Sequence, residues 1–313
     1  MKKRLVLFIS LVFLLAGCTG LSKGTDQSSD SAFVGGTKAL SLAFAGDEPP
    51  AKVLDDNQEE FFITLLLKNE GEFTIPKGRI LASLSGISKE AFSLNSLNVK
   101  SDFDLERVRK DRDLLSAGGI EELSFGMAKY KSDLPADFDT DIRANVCYDY
   151  ETQAVASICL KKNPLERGDE DSCLVDNQAV KVENSGAPVQ VVGFRQRPTS
   201  GSKILVSFDV SNKGIGKAYS PSTFTDVCKE IEDNADMIEV SLSSSSGNMK
   251  ISCSKFGNSN KGIVRLVNNI KTVSCDIDTS GIQDISYQDF LIVKMRYMYR
   301  DLISVPITIE DAQ

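Results

Sequence analysis

Two stretches of this chain, far apart in sequence, carry one pattern. Phe62-Ile63-Thr64-Leu65-Leu66-Leu67-Lys68-Asn69-Glu70-Gly71 and Leu205-Val206-Ser207-Phe208-Asp209-Val210-Ser211-Asn212-Lys213-Gly214 both read as an alternating strand ending in Asn-x-Gly. A second pattern also recurs. Residues 139–150 and 290–299 are strand-like and end in Tyr148-Asp149-Tyr150 and Tyr297-Met298-Tyr299. Alternation with period two marks strands that bury one face, and repetition of whole patterns marks a doubled unit. Turn residues separate the runs, and each Tyr-x-Tyr is expected to be followed by a turn and a last strand. Seven or so short strands per roughly 125 residues are the signature of a β-sandwich. The expected fold is therefore all-β, with two tandem β-sandwich domains at 33–162 and 187–313. Between them, the polar and acidic segment 163–186 reads as a linker. Helical signals are few: a capping-box form at Ser101-Asp102-Phe103-Asp104 before Phe103 to Leu115, which reads equally as a short helix or as a loop with a strand edge, and Ser220-Pro221 before Phe224, Cys228 and Ile231 at helical spacing.

The strand–Asn-x-Gly–strand feature resembles the Ig-like, adhesion-type domains of bacterial and archaeal cell surfaces. The resemblance covers residues 33–162 and 187–310. It implies spacing or binding rather than catalysis.

The N-terminus gives an address. Lys2, Lys3 and Arg4 precede an apolar run from Leu5 to Leu15, and Ala16-Gly17 stand just before Cys18. This is a signal-peptide layout, and its run is too short to span a bilayer, which takes about twenty residues. Leu15-Ala16-Gly17-Cys18 resembles the lipobox of prokaryotic lipoproteins. The resemblance implies removal of residues 1–17, acylation of Cys18, and anchoring at the extracytoplasmic face of the cell membrane. Residues 18–32 then form a flexible tether, being rich in Gly, Ser, Thr and Asp. Two acyl chains anchor a protein without a basic helper patch.

Charge and composition narrow the function. Removing Lys2, Lys3 and Arg4 takes the 36 basic residues to 33, against 44 acidic ones, a net charge of −11. Such a surface repels nucleic acid, so a protein partner or another cell-envelope component is expected instead. The chain contains no histidine. That excludes Ser-His-Asp and Cys-His catalysis and removes the usual zinc ligand. The expectation is a non-enzymatic protein with no cofactor, serving in protein interaction, adhesion or spacing. The rival readings are an envelope enzyme built on paired carboxylates and a ligand-binding lipoprotein with an apolar pocket.

With Cys18 given to lipid, six cysteines remain: Cys147, Cys159, Cys173, Cys228, Cys253 and Cys275. An even number in an oxidising compartment reads as disulfides. A turn centred on Gln153 would set Cys147 opposite Cys159, a turn near 264–268 would set Cys253 opposite Cys275, and Cys173 would then take Cys228. Asp137, Asp139 and Asp141 are the best candidates for a calcium site, yet they lack a following glycine and a distal glutamate, and a solvated strand entrance explains them as well. Asp169-Glu170-Asp171 is a second acidic run. Ser200-Gly201-Ser202-Lys203 fits S-x-x-K only formally, and Gly214-Ile215-Gly216 lacks the third glycine of a nucleotide loop. Arg195, Arg197 and Lys203 form a small basic cluster. The four repeated tyrosines are expected to be structural, hydrogen-bonded to backbone.

Overall fold

A computed structural model describes residues 31–312 except 113, 169–170, 200, 222–223, 226–227, 229–231, 248 and 283–284. The chain is all-β, with no α-helix among the described residues. Its strands in the first repeat are β1 (Leu40–Phe44), β2 (Lys52–Leu54), β3 (Phe61–Asn69), β4 (Ile80–Ser85), β5 (Asn98–Lys100), β6 (Arg109–Asp111), β7 (Leu114–Ser116), β8 (Ile120–Ala128) and β9 (Phe138–Leu160). Those that follow are β10 (Val182–Asn184), β11 (Val189–Pro198), β12 (Lys203–Asn212), β13 (Lys217–Tyr219), β14 (Met237–Ser244), β15 (Lys250–Cys253), β16 (Lys261–Arg265), β17 (Ile270–Asp278) and β18 (Tyr287–Glu310).

Each repeat contributes one outer sheet, β1-β3-β8 in the first and β11-β12-β17-β15 in the second. The repeated Asn-x-Gly strands, β3 and β12, lie inside these sheets. Ile63, Leu65 and Leu67 of β3 and Ile204, Val206, Phe208 and Val210 of β12 are buried, as their alternation requires. Both outer sheets share one hydrophobic core with a nine-stranded central sheet ordered β16-β14-β18-β9-β4-β5 along its main path.

The central sheet does not divide between the repeats. β9 and β18 pair antiparallel from Phe138↔Ile309 to Leu160↔Tyr287 without a break, a ladder of about 75 Å at the usual strand rise. The expected turns after Tyr150 and after Tyr299 do not form. Tyr148, Tyr150, Thr152, Ala154, Ala156 and Ile158 keep one unbroken alternation, all buried. The intervening residues offer no Asn-Gly or similar pair for a tight hairpin. Each long strand therefore passes from its own repeat into the other. The second half of β9 meets β11, where Thr152 Oγ1 donates to the Val189 carbonyl and Cys159 N donates to Gln196 Oε1. The second half of β18 pairs with β2 at Thr308–Glu310. Residues 32–313 accordingly form one compact unit with a common core, and the expected boundary at 163–186 does not split it. Within that segment β10 adds to β9 through Val182↔Ala156.

The straight strand also corrects two disulfides. Cys147 and Cys159 stand twelve residues apart on β9, roughly 40 Å at strand rise, and cannot meet. Cys147 is bonded to Cys228 and Cys159 to Cys173, while Cys253–Cys275 forms as expected between paired residues of β15 and β17. All six cysteines are thus disulfide-bonded.

The two helical signals fare differently. Of the two alternatives for 103–115 the strand edge forms, as the β6–β7 hairpin pairs Arg109 with Ser116, and Ser101 Oγ accepts from Gly78 N and Ile80 N. The segment after Ser220 lies largely outside the described residues. Its described members close the back of the central sheet, where Phe224 sits 4.2 Å from the Arg79 guanidinium and Cys228 packs with Leu81, Tyr219 and Met298.

Candidate functional site

The ladder register creates a local two-fold relation. β9 and β18 are equivalent strands of the two repeats, and Asp149 pairs with Met298, the middle residues of the two Tyr-x-Tyr motifs. Tyr148 then faces Tyr299, and Tyr150 faces Tyr297. Their rings form a closed cluster, with Tyr148–Tyr299 centroids 5.9 Å apart and Tyr150–Tyr297 centroids 6.3 Å apart. All four are buried, and burial pushes every one of these phenols up from its ordinary range, so they remain protonated donors.

Four buried hydroxyls need four partners. Tyr150 Oη donates to the Gly186 carbonyl at 3.3 Å and lies against Gly71, where a Cβ would fall 1.9 Å from it. Tyr299 Oη donates to Asn212 Oδ1 at 3.1 Å and lies against Gly214, with 2.3 Å for the same hypothetical Cβ. This explains the repeated Asn-x-Gly. Asn69 and Asn212 each accept from the glycine amide two residues on, and that glycine leaves room for a tyrosine hydroxyl from the other pattern. The two repeated motifs are halves of one interaction.

The remaining pair differs between the repeats. Tyr297 Oη lies 2.9 Å from Thr152 Oγ1, and the Val189 amide at 3.4 Å and carbonyl at 2.7 Å close that side with β11. At the equivalent place Tyr148 Oη donates to Asp301 Oδ2 at 2.7 Å. A carboxylate stands where the other copy has threonine. Burial is the main cause holding the Asp301 carboxyl above its ordinary 3.8, with the Tyr148 hydrogen bond pulling the other way. Asp301 Oδ1 accepts no hydrogen bond among the described residues, and a Cβ on Gly216 would lie 2.3 Å from it. Gly214-Ile215-Gly216 thus packs on Tyr299 and Asp301.

Asp301 lines a cavity of about 320 Å³ between β1 and β18. Leu40, Leu42, Ile303, Tyr148 and Tyr299 line it, together with Lys38 and Lys213. Lys38 is paired with Glu70 at 3.2 Å. The cavity lies within the 300–1,000 Å³ range of small-molecule sites, and it has their character of apolar walls with few polar groups.

The four tyrosines and Gly214-Ile215-Gly216 singled out from sequence thus belong to this site, while the charged residues singled out lie elsewhere. Asp137 Oδ1 accepts from Asp311 N, Asp139 Oδ1 accepts from Thr308 Oγ1, and Asp141 pairs with Arg143. They serve the strand entrance. Among the described residues the acidic side chains that converge are Asp55, Asp133 and Asp311, with one oxygen each within 4.8 Å of the others. Buried Asp55 is already engaged, since its two oxygens accept from Leu134 N and Ala312 N. Asp171 is tied to Lys161 at 2.8 Å, while Asp169 and Glu170 lie outside the described residues. Arg195 and Arg197 are exposed along β11 beside buried Phe194 and Gln196. Ser200 and Cys18 lie outside the described residues. Neither Asp301 nor the cavity carried a local signal, because the cavity walls come from both ends of the chain.

Neither a protein-family model nor a curated protein matches this sequence.

Proposed function

We propose that this chain is a non-enzymatic lipoprotein, anchored by acylated Cys18 at the extracytoplasmic face of the membrane and working through protein interaction or as a spacer. The lipobox-like residues before Cys18 support the anchor. The observation that carries the spacer and docking role is the unbroken β9–β18 ladder, which fuses both repeats through one core and carries two of the three disulfides, Cys147–Cys228 and Cys159–Cys173. A stiff body of this kind presents a binding surface of fixed shape. Cys18→Ala tests the anchor: in intact cells the protein should move from the membrane fraction to the soluble fraction and lose incorporated fatty acid. Cross-linking on intact cells then tests the role, with a reproducible envelope protein expected. Recovery of the protein alone favours the spacer. Retention of the Cys18→Ala protein at the membrane would overturn the anchor.

A second reading, a ligand-binding lipoprotein, gains support from one observation. The cavity beside Asp301 is of ligand size, is lined by apolar side chains such as Leu40, Leu42 and Ile303 beside two lysines, and carries a carboxylate oxygen with no protein donor among the described residues.

A further inference from the structure

The two-fold relation supplies an internal control for what the fold itself requires. At the Thr152 position a neutral hydroxyl satisfies the tyrosine, backbone groups of Val189 complete the set, and the threonine is fully buried. At the Asp301 position the same tyrosine interaction is present, but a cavity replaces the backbone closure. Structure alone would be served by threonine twice. A carboxylate in a half-buried apolar setting is disfavoured unless a cation or strong donors reach it.

We propose that the cavity between β1 and β18 binds a small ligand with an ammonium group on an apolar body, the ammonium donating to Asp301 Oδ1 and the apolar part lying against Leu40, Leu42 and Ile303. The inference deepens the ligand-binding reading and is independent of the anchor at Cys18. Two lysines and one carboxylate line the cavity, and the carboxylate is the charged group tied to the tyrosine cluster, through Tyr148. An anion would face the Asp301 carboxylate, and of the two lining lysines Lys38 is already engaged by Glu70, which leaves Lys213 as the cation that a ligand ammonium would compete with. Tyrosine rings on the wall add a surface that attracts cations where a ring face is presented.

The test is a calorimetric or amide-shift titration of the full chain with benzylamine, butylamine and, as a neutral match, benzyl alcohol. Saturable binding of an amine is expected, with amide shifts centred on Gly214, Ile215 and Leu302 and at least tenfold weaker binding of benzyl alcohol. Asp301→Thr copies the other repeat and should weaken the amine at least tenfold, and Asp301→Asn, closest in shape, should do the same if the threonine variant folds poorly. No saturation by either amine at 10 mM overturns the proposal (about the millimolar limit of fragment-sized ligands). So does equal binding of benzyl alcohol, or unchanged amine affinity in a folded Asp301 variant. Because none of these readouts involves the membrane, failure here leaves the lipoprotein reading standing.

Discussion

Single residues at the centre of this molecule are decided by the tyrosines they serve. Gly71→Ala places a methyl 1.9 Å from Tyr150 Oη and 2.6 Å from the Gly186 carbonyl, so either the ring or the backbone must move. A loss of about 3 kcal/mol is expected, readable in urea unfolding. Asp301 predicts the opposite sign. Its folded carboxyl titrates above the ordinary 3.8, chiefly through burial. Between those two values the folded state binds more protons than the unfolded chain, so its contribution to stability grows as pH falls through the folded value. The groups sharing its cavity are Tyr148, Tyr299, Lys38 and Lys213. The phenols stay protonated across this range, leaving the carboxyl to titrate there. Asp301→Thr should therefore raise Tm at neutral pH by about 2–4 °C, corresponding to about 1 kcal/mol. That advantage should shrink as pH is lowered toward 4. An advantage that is constant with pH would show that the ionised carboxylate is not the cause. Amine binding should weaken over the same acid range, since protonated Asp301 no longer offers a charge.

At the scale of elements, the sequence showed most strands and little of their continuation. Alternation in residues 61–69 and 204–210 is strong because one face of each strand is buried and the other is not, which any window of a few residues reveals. Alternation also ran through Tyr150, Thr152 and Ala154, but period two says nothing about whether a strand bends back or goes on. The choice of going straight is made by the partner strand, β18, more than a hundred residues away. The disulfides followed from that choice. Cys253–Cys275 was legible because both cysteines sit on neighbouring strands of one outer sheet. Cys147–Cys228 was not, because in the second repeat the counterpart of β4 is interrupted. There β13 and β14 pair with successive stretches of β18, and the segment between them carries Cys228 across to β9. Its large sequence separation of 81 gives the bridge weight. The chain-entropy model gives about 4.5 kcal/mol for that loop against about 3 kcal/mol for the Cys159–Cys173 loop of 14. The Cys147→Ala/Cys228→Ala protein should thus lose more stability in urea than Cys159→Ala/Cys173→Ala. The reverse order would place the effect in native contacts rather than in the unfolded chain.

For the whole of residues 32–313, the exchange of long strands has a consequence that tandem domains would not have. In a tandem pair joined by a linker, each sandwich keeps its own core and melts by itself. Here both outer sheets share one core with β9 and β18, β1 of the first lying against β18 and β11 of the second against β9. Removing either long strand exposes both layers. The four central tyrosines tie the halves further, since Tyr148 of one repeat is satisfied by Asp301 of the other and Tyr297 by Thr152. Opening one half therefore breaks buried hydrogen bonds of its neighbour, whose groups would be left unpaired at a cost of about 1–3 kcal/mol each. Thermal unfolding with disulfides intact should then be a single transition whose calorimetric and van't Hoff enthalpies agree. Gly71→Ala in the first repeat and Gly214→Ala in the second should shift that one transition together. Two transitions, with each glycine variant moving only one of them, would mean that the ladder joins the repeats in space without joining their stability.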